Sequence, residues 1–188
     1  MWGIDFGSKK AGTTVICFAH EQVIDFKQSM KDEDADKMLM DKLRQQKPKL
    51  IMIDAPLSLP IAYNKIDNHI PDFFYRQCDK TLKAMSPMFL GGLTARAIQF
   101  RHKAIALGVH VLETYPAAQA RNLGWDQYKK QPCQHLAREA SDQFAVKLKD
   151  NIENHHQLDA LLAYIAGIRY INNKHQTIGD SEEGVIII

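Results

Sequence analysis

Four acids stand in positions where an acid is conspicuous. Asp5 lies inside the apolar opening run Trp2-Gly3-Ile4-Asp5-Phe6, Asp54 and Glu113 each end an apolar run, and Asp159 sits in a largely hydrophobic helical stretch. A carboxylate within an apolar strand loses hydration unless something compensates it. Grouped carboxylates repel one another, and hard divalent cations that prefer oxygen ligands, Mg²⁺ or Mn²⁺, neutralise them. Two such ions about 4 Å apart can activate a water and stabilise the leaving oxygen of a phosphate ester in an in-line displacement. Asp5, Asp54, Glu113 and Asp159 are therefore candidate metal ligands and catalytic acids. His156, three residues before Asp159 and near its helical face, is a candidate catalytic proton-transfer group, ahead of the neighbouring His155. Each residue also has a plainer reading: a turn or cap acid, an exposed helix acid, a solvated histidine.

Positive charge is concentrated in one segment. Residues 74–103 carry Arg76, Lys80, Lys83, Arg96, Arg101 and Lys103 against Asp79 alone, in a chain whose formal net charge is +2. Arg76, Asp79, Lys80 and Lys83 share a helical face, and such a face beside a metal site can hold a phosphate backbone. With Lys9 in the first turn, Arg76, Asp79, Lys80 and Arg96 are the candidate substrate-binding residues, for DNA or RNA. The plainer reading is a solvated face with an Arg76–Asp79 pair.

The elements that must position these groups follow from pattern. Runs 2–7, 13–19 and 22–26 are rich in Ile, Val, Phe and Thr and read as a three-stranded antiparallel meander. A helix over 32–46 follows, with Ala35, Met38, Leu39 and Leu43 at helical spacing. Runs 49–54 and 109–113 are continuous apolar stretches ending in acids, the pattern of buried parallel strands. Pro116 opens a short helix that Gly124 closes, helices are expected over 136–148 and 155–170, and 184–188 reads as an extra edge strand. Ala163, Ala166 and Gly167 are small enough to let the last helix lie close to the sheet and bring Asp159 down to the strand ends. About 50 residues separate the two parallel strands, far more than a minimal crossover needs. They predict a helical insertion at about 57–107, with helices near 72–85 and 93–107.

Three antiparallel strands, a helix and two parallel strands make a mixed five-stranded α/β sheet in the ribonuclease H-like order, in a single domain of 188 residues. Hydrophobic residues at 45% and charged residues at 24% fit a globular protein and exclude a disordered or coiled-coil chain. Cys17, Cys78 and Cys133 are odd in number and widely spaced, which argues against a disulfide framework or a zinc ribbon; Cys133-Gln134-His135 is too small a cluster for zinc. No apolar run has the length of a membrane span and the opening lacks signal-peptide features, so the expected setting is the cytoplasm, without membrane contact.

Gly3-Ile4-Asp5-Phe6-Gly7, Ile53-Asp54-Ala55-Pro56, Arg76-Gln77-Cys78-Asp79, Glu113-Thr114-Tyr115-Pro116 and His156-Gln157-Leu158-Asp159-Ala160 span nearly the whole chain. Together they resemble the motifs of the domain of unknown function 429 family, which is regarded as a family of predicted nucleases of ribonuclease H-like fold. The opening run also resembles the YqgF group of resolvase-like proteins, and His156-x-x-Asp159-Ala160 the last-helix motif of RuvC-type Holliday-junction resolvases. The resemblance implies that Asp5, Asp54 and Asp159 are metal-binding catalytic acids, with Glu113 a fourth. Those resolvases commonly carry Glu at the end of the fourth strand, so Asp54 has a shorter reach and Glu113 is expected to share its task. The insertion with Arg76 and Asp79 has no counterpart in them, so a junction substrate does not carry over. Arg76, Asp79 and Arg96 look like the family's own signature.

The reading is a metal-dependent nuclease. Two alternatives remain open. Asp5-Phe6-Gly7-Ser8 also resembles the first phosphate loop of actin-like ATPases and sugar kinases, which need two such domains around a nucleotide. A non-catalytic module that binds nucleic acid or protein would keep the same fold without turnover.

Overall fold

The computed structural model describes residues 1–64 and 72–188. The β-branched and aromatic runs near the start form β1 (Trp2–Asp5), β2 (Val15–His20) and β3 (Val23–Gln28), an antiparallel meander. β4 (Leu50–Asp54) adds to β1 in parallel, and β5 (His110–Glu113) adds to β4 in parallel. A two-residue strand, β6 (Lys147–Leu148), pairs in parallel with β3, giving the order β5-β4-β1-β2-β3-β6. This is the mixed ribonuclease H-like arrangement with one short strand beyond the five expected. The extra strand arises because the helix expected over 136–148 is α6 (Cys133–Phe144), which stops where Ala145 turns left-handed at φ 51°.

One sheet face is covered by α1 (Ala35–Gln46) and α4 (Gly92–Ala106). Asp34 caps α1 by accepting the Asp36 and Lys37 N–H groups, and Ala35, Met38, Leu39 and Leu43 are its buried side. Met38, Leu39 and Leu43 pack with Ile4, Ile51, Ile53 and Phe100. The other face is covered by α7 (His155–Ile171), flanked by α5 (Pro116–Asn122) and α6. Every residue of α7 from Gln157 to Gly167 is buried. Gly3 is what lets α7 lie this close, because a Cβ there would fall 2.2 Å from the Tyr164 nitrogen and 2.4 Å from the Ala160 carbonyl oxygen.

Between β4 and β5 the described residues form α2 (Gln77–Leu82), α3 (Pro87–Leu90) and α4. The helix expected over 72–85 is therefore only α2. Asp72 instead turns the chain by accepting the Phe74 and Tyr75 N–H groups, and Lys83 ends α2 at φ 54°. Residues 65–71 of the expected insertion lie outside the described residues. At the carboxyl end β7 (Thr177–Asp180) and β8 (Gly184–Ile187) form a separate hairpin, where one edge strand was expected. The hairpin reaches the main sheet through a bridge between Thr114 and Ile187. Glu183, at its turn, accepts the Ile61 and Gln77 N–H groups and ties it to the β4–β5 segment. No helix among the described residues is long and apolar enough to cross a membrane.

Candidate metal centre

Asp5 and Asp54 are the last residues of adjacent parallel strands and are direct register partners, so both side chains leave the sheet on the face that α7 covers. Asp159, on the second turn of α7, descends onto the same point. One carboxylate oxygen from each of the three lies within 4.8 Å of the others. Asp5 and Asp159 are buried. Among the described residues no group donates a hydrogen bond to the Asp54 carboxylate. Burial pushes its pKa well above the usual carboxylate range, and the nearby charges of Asp5 and Asp159 push it further. Burial also raises Asp5, against a hydrogen bond with His156 that pulls it back.

The three carboxylates are differently supported. His156 places Nδ1 2.8 Å from Asp5 Oδ2, and that hydrogen bond raises the histidine's pKa. The Tyr128 hydroxyl donates to Asp159 Oδ1 at 2.9 Å, and the Lys129 ammonium donates to Asp159 Oδ2. Burial, and then the charge of Asp159, push the Tyr128 phenol upward, so it stays a neutral donor. Tyr128 and Lys129 belong to a 3-10 turn, Tyr128–Lys130, and sequence reasoning missed both. Nothing in their spacing connects them to an acid some 30 residues on.

Glu113 is not in this cluster, which corrects the expectation of a fourth ligand. Its register partner is Ile53, one residue before Asp54, so its side chain leaves on the opposite face. There it meets Arg76. The guanidinium donates to Glu113 at 2.7 and 2.6 Å, to Asp79 at 3.0 and 2.7 Å and to Ser58 at 2.8 Å. Arg76 has no solvent exposure and all five of its donors are used, so it is no part of a solvent-facing phosphate surface. Asp79 is equally enclosed. The other expected substrate-binding residues are spread out. Arg96 clamps Asp36 and the Gly7 carbonyl and lies over the Phe6 ring, which fixes the loop after Asp5. Lys80 pairs with Asp72 at 2.6 Å and Lys9 with Asp34 at 3.0 Å, both on the surface.

The two clusters border one cleft of about 210 Å³, floored by Asp5, Asp54 and Glu113 and walled by Met85, Leu90 and Leu93. Asp5, Asp54, Asp79 and Glu113 outweigh Arg76 in charge along its lining. An anion entering would be repelled unless a cation came with it. The donor set suits a hard divalent ion: three carboxylates, oxygen only, one of them half-buried with no hydrogen-bond donor among the described residues.

No family model matches the chain, and no curated protein matches it. Among solved structures, the Thermus thermophilus RuvC structure aligns over 95% of this chain and 97% of that one, with 14% sequence identity and a TM-score of 0.48.

Proposed function

We propose that this protein is a Mg²⁺- or Mn²⁺-dependent nuclease that hydrolyses phosphodiester bonds of nucleic acid. The observation that carries the reading is the half-buried Asp54 carboxylate, without a hydrogen-bond donor among the described residues, facing Asp5 and Asp159 at the strand ends. These three residues would hold the cation, which would supply Lewis acidity at a phosphoryl oxygen and a water of lowered pKa. Asp5 is oriented by His156, which is placed to accept or return a proton beside the cleft. Tyr128 fixes the rotamer of Asp159. Arg76, Asp79 and Glu113 serve as an internal brace that holds the β4–β5 segment against the strand ends and shapes the cleft wall.

The motif resemblance supports placing the chain in the domain of unknown function 429 family, as one ribonuclease H-like domain with the β4–β5 segment as its elaboration. The free thiols Cys17 and Cys78 are buried, which supports a reducing compartment such as the cytoplasm.

Titration calorimetry with Mn²⁺ tests the carboxylate site. The wild type is expected to bind, and Asp54→Asn to lose at least about tenfold in affinity while keeping its circular dichroism spectrum. Equal Mn²⁺ affinity in the two proteins, or no metal-stimulated cleavage of single-stranded, duplex or branched substrates by the wild type, would overturn the reading.

A further inference from the structure

The nuclease reading leaves open where the phosphate backbone lies, and the β4–β5 segment does not provide a clear track. Arg76 is enclosed, Arg96 is committed to Asp36, and Lys80 is paired with Asp72. On the other side of the acids the charge distribution is different. A shallow basin of about 510 Å³ lies between α5 and the 3-10 turn, lined by Arg121, Lys129 and Lys130, with Asp126 its one acid. Arg121, Lys129 and Lys130 are exposed. Arg121 spends one donor on the Leu82 carbonyl at 2.8 Å and lies over the Tyr115 ring, which anchors it at the edge of the basin while it remains exposed.

Lys129 joins this basin to the acid cluster. Its ammonium sits on Asp159 Oδ2, while Oδ1 is taken by Tyr128, so both oxygens of Asp159 are occupied. A divalent cation shared by Asp5, Asp54 and Asp159 needs one of them. Tyr128 is buried and held by the surrounding core, whereas the Lys129 side chain is 51% exposed on a flexible arm. Lys129 is the group that can yield.

We propose that the basin formed by Arg121, Lys129 and Lys130 receives the phosphodiester backbone, and that Lys129 is shared between two anions. It neutralises Asp159 before metal loading, and the incoming cation displaces it onto a substrate phosphate. The inference rests on the metal-site reading and adds a substrate-positioning residue and a surface to it. It follows that loading the metal prepares both halves of the site. The cation removes the net negative charge that repels phosphate, and it frees an ammonium at the rim to bind one.

The test uses the full chain in two measurements. In a Mn²⁺ titration, Lys129→Met is expected to bind about two- to fivefold more tightly than wild type, because a half-exposed competing ammonium is gone. In fluorescence anisotropy with a labelled oligonucleotide and Ca²⁺, Lys129→Met and Lys130→Ala are each expected to bind more weakly. Each should also lower the slope of log affinity against log salt by about one. Lys130→Ala should leave Mn²⁺ affinity unchanged, since that side chain touches none of the three acids. Unchanged or weaker Mn²⁺ binding by Lys129→Met overturns the sharing of Lys129. An unchanged salt slope in both variants, or a slope lost in Lys83→Ala instead, overturns the basin. If the wild type binds Mn²⁺ and oligonucleotide while these variants behave like it, only this inference falls; if the wild type binds no Mn²⁺ with or without oligonucleotide, the metal-site reading falls with it.

Discussion

Glu113 and Asp54 end neighbouring strands, yet a single step of register separates the acid cluster from the Arg76 contact. Asp54 pairs across to Asp5, whereas Glu113 pairs to Ile53 and faces the other way. The sequence marks both as acids ending apolar runs and carries no signal of how two strands so far apart align. Arg76 misleads for a related reason: in a polar, basic segment it reads as solvated, and only the fold brings Glu113 to it. The brace has a measurable consequence. Burial works against the charge of Arg76, but its hydrogen bonds with Glu113 and Asp79 keep the guanidinium protonated. Arg76→Ala leaves two enclosed carboxylates unpaired, so a loss of about 3–5 kcal/mol in unfolding free energy is expected from denaturant melts. A variant that melts like wild type and loses only substrate affinity would show that Arg76 acts on the ligand after all.

Strands β1 to β5 and the long helices are legible in the sequence because their apolar spacing is strong, and α1, α4 and α7 fall within a few residues of their expected places. The parts that were not legible depend on short-range backbone choices or distant partners. Ala145 and Lys83 adopt left-handed conformations that no glycine announces, and Tyr128–Lys130 gains its meaning only from α7. The small residues Ala163, Ala166 and Gly167 of α7 predict its close approach to the sheet. The tighter constraint is on the strand, at Gly3, where the backbone of α7 fills the space of a side chain. Gly3→Ala must therefore push α7 outward, and Asp159 with it. A loss of about 3 kcal/mol or more is expected in thermal or chemical unfolding, since the obstacle is backbone and cannot repack, together with weaker Mn²⁺ binding. Gly92→Ala is the matched control. It sits at the start of α4 with nothing within 4 Å of the added Cβ, and it should leave stability equal or slightly higher.

At the scale of the whole molecule, three crowded acids with Lys129 as their one lysine partner among the described residues are a defect in stability that a bound divalent ion would relieve, and pH should expose it. The folded state raises the pKa of Asp54 through burial and through its neighbours Asp5 and Asp159. A group whose folded pKa lies above its unfolded value contributes stability that is complete below the unfolded pKa and is lost as pH rises through the folded one. For a carboxylate that loss begins at about pH 4. Other acids on the surface, such as Asp72 and Asp34, are shifted the opposite way, so the effect of Asp54 is read as a difference between two proteins. In chelator, wild type should match or exceed Asp54→Asn at low pH and fall behind as pH rises, by about 1–3 kcal/mol at neutrality. For a chain of 188 residues each kcal/mol moves Tm by about 2–4 °C, which calorimetry across pH resolves. Adding Mg²⁺ at neutral pH should then raise the wild-type Tm in step with the logarithm of metal concentration and leave the variant nearly unmoved. Parallel melting of the two proteins at every pH, with and without Mg²⁺, would mean that Asp54 carries no buried charge for a cation to relieve.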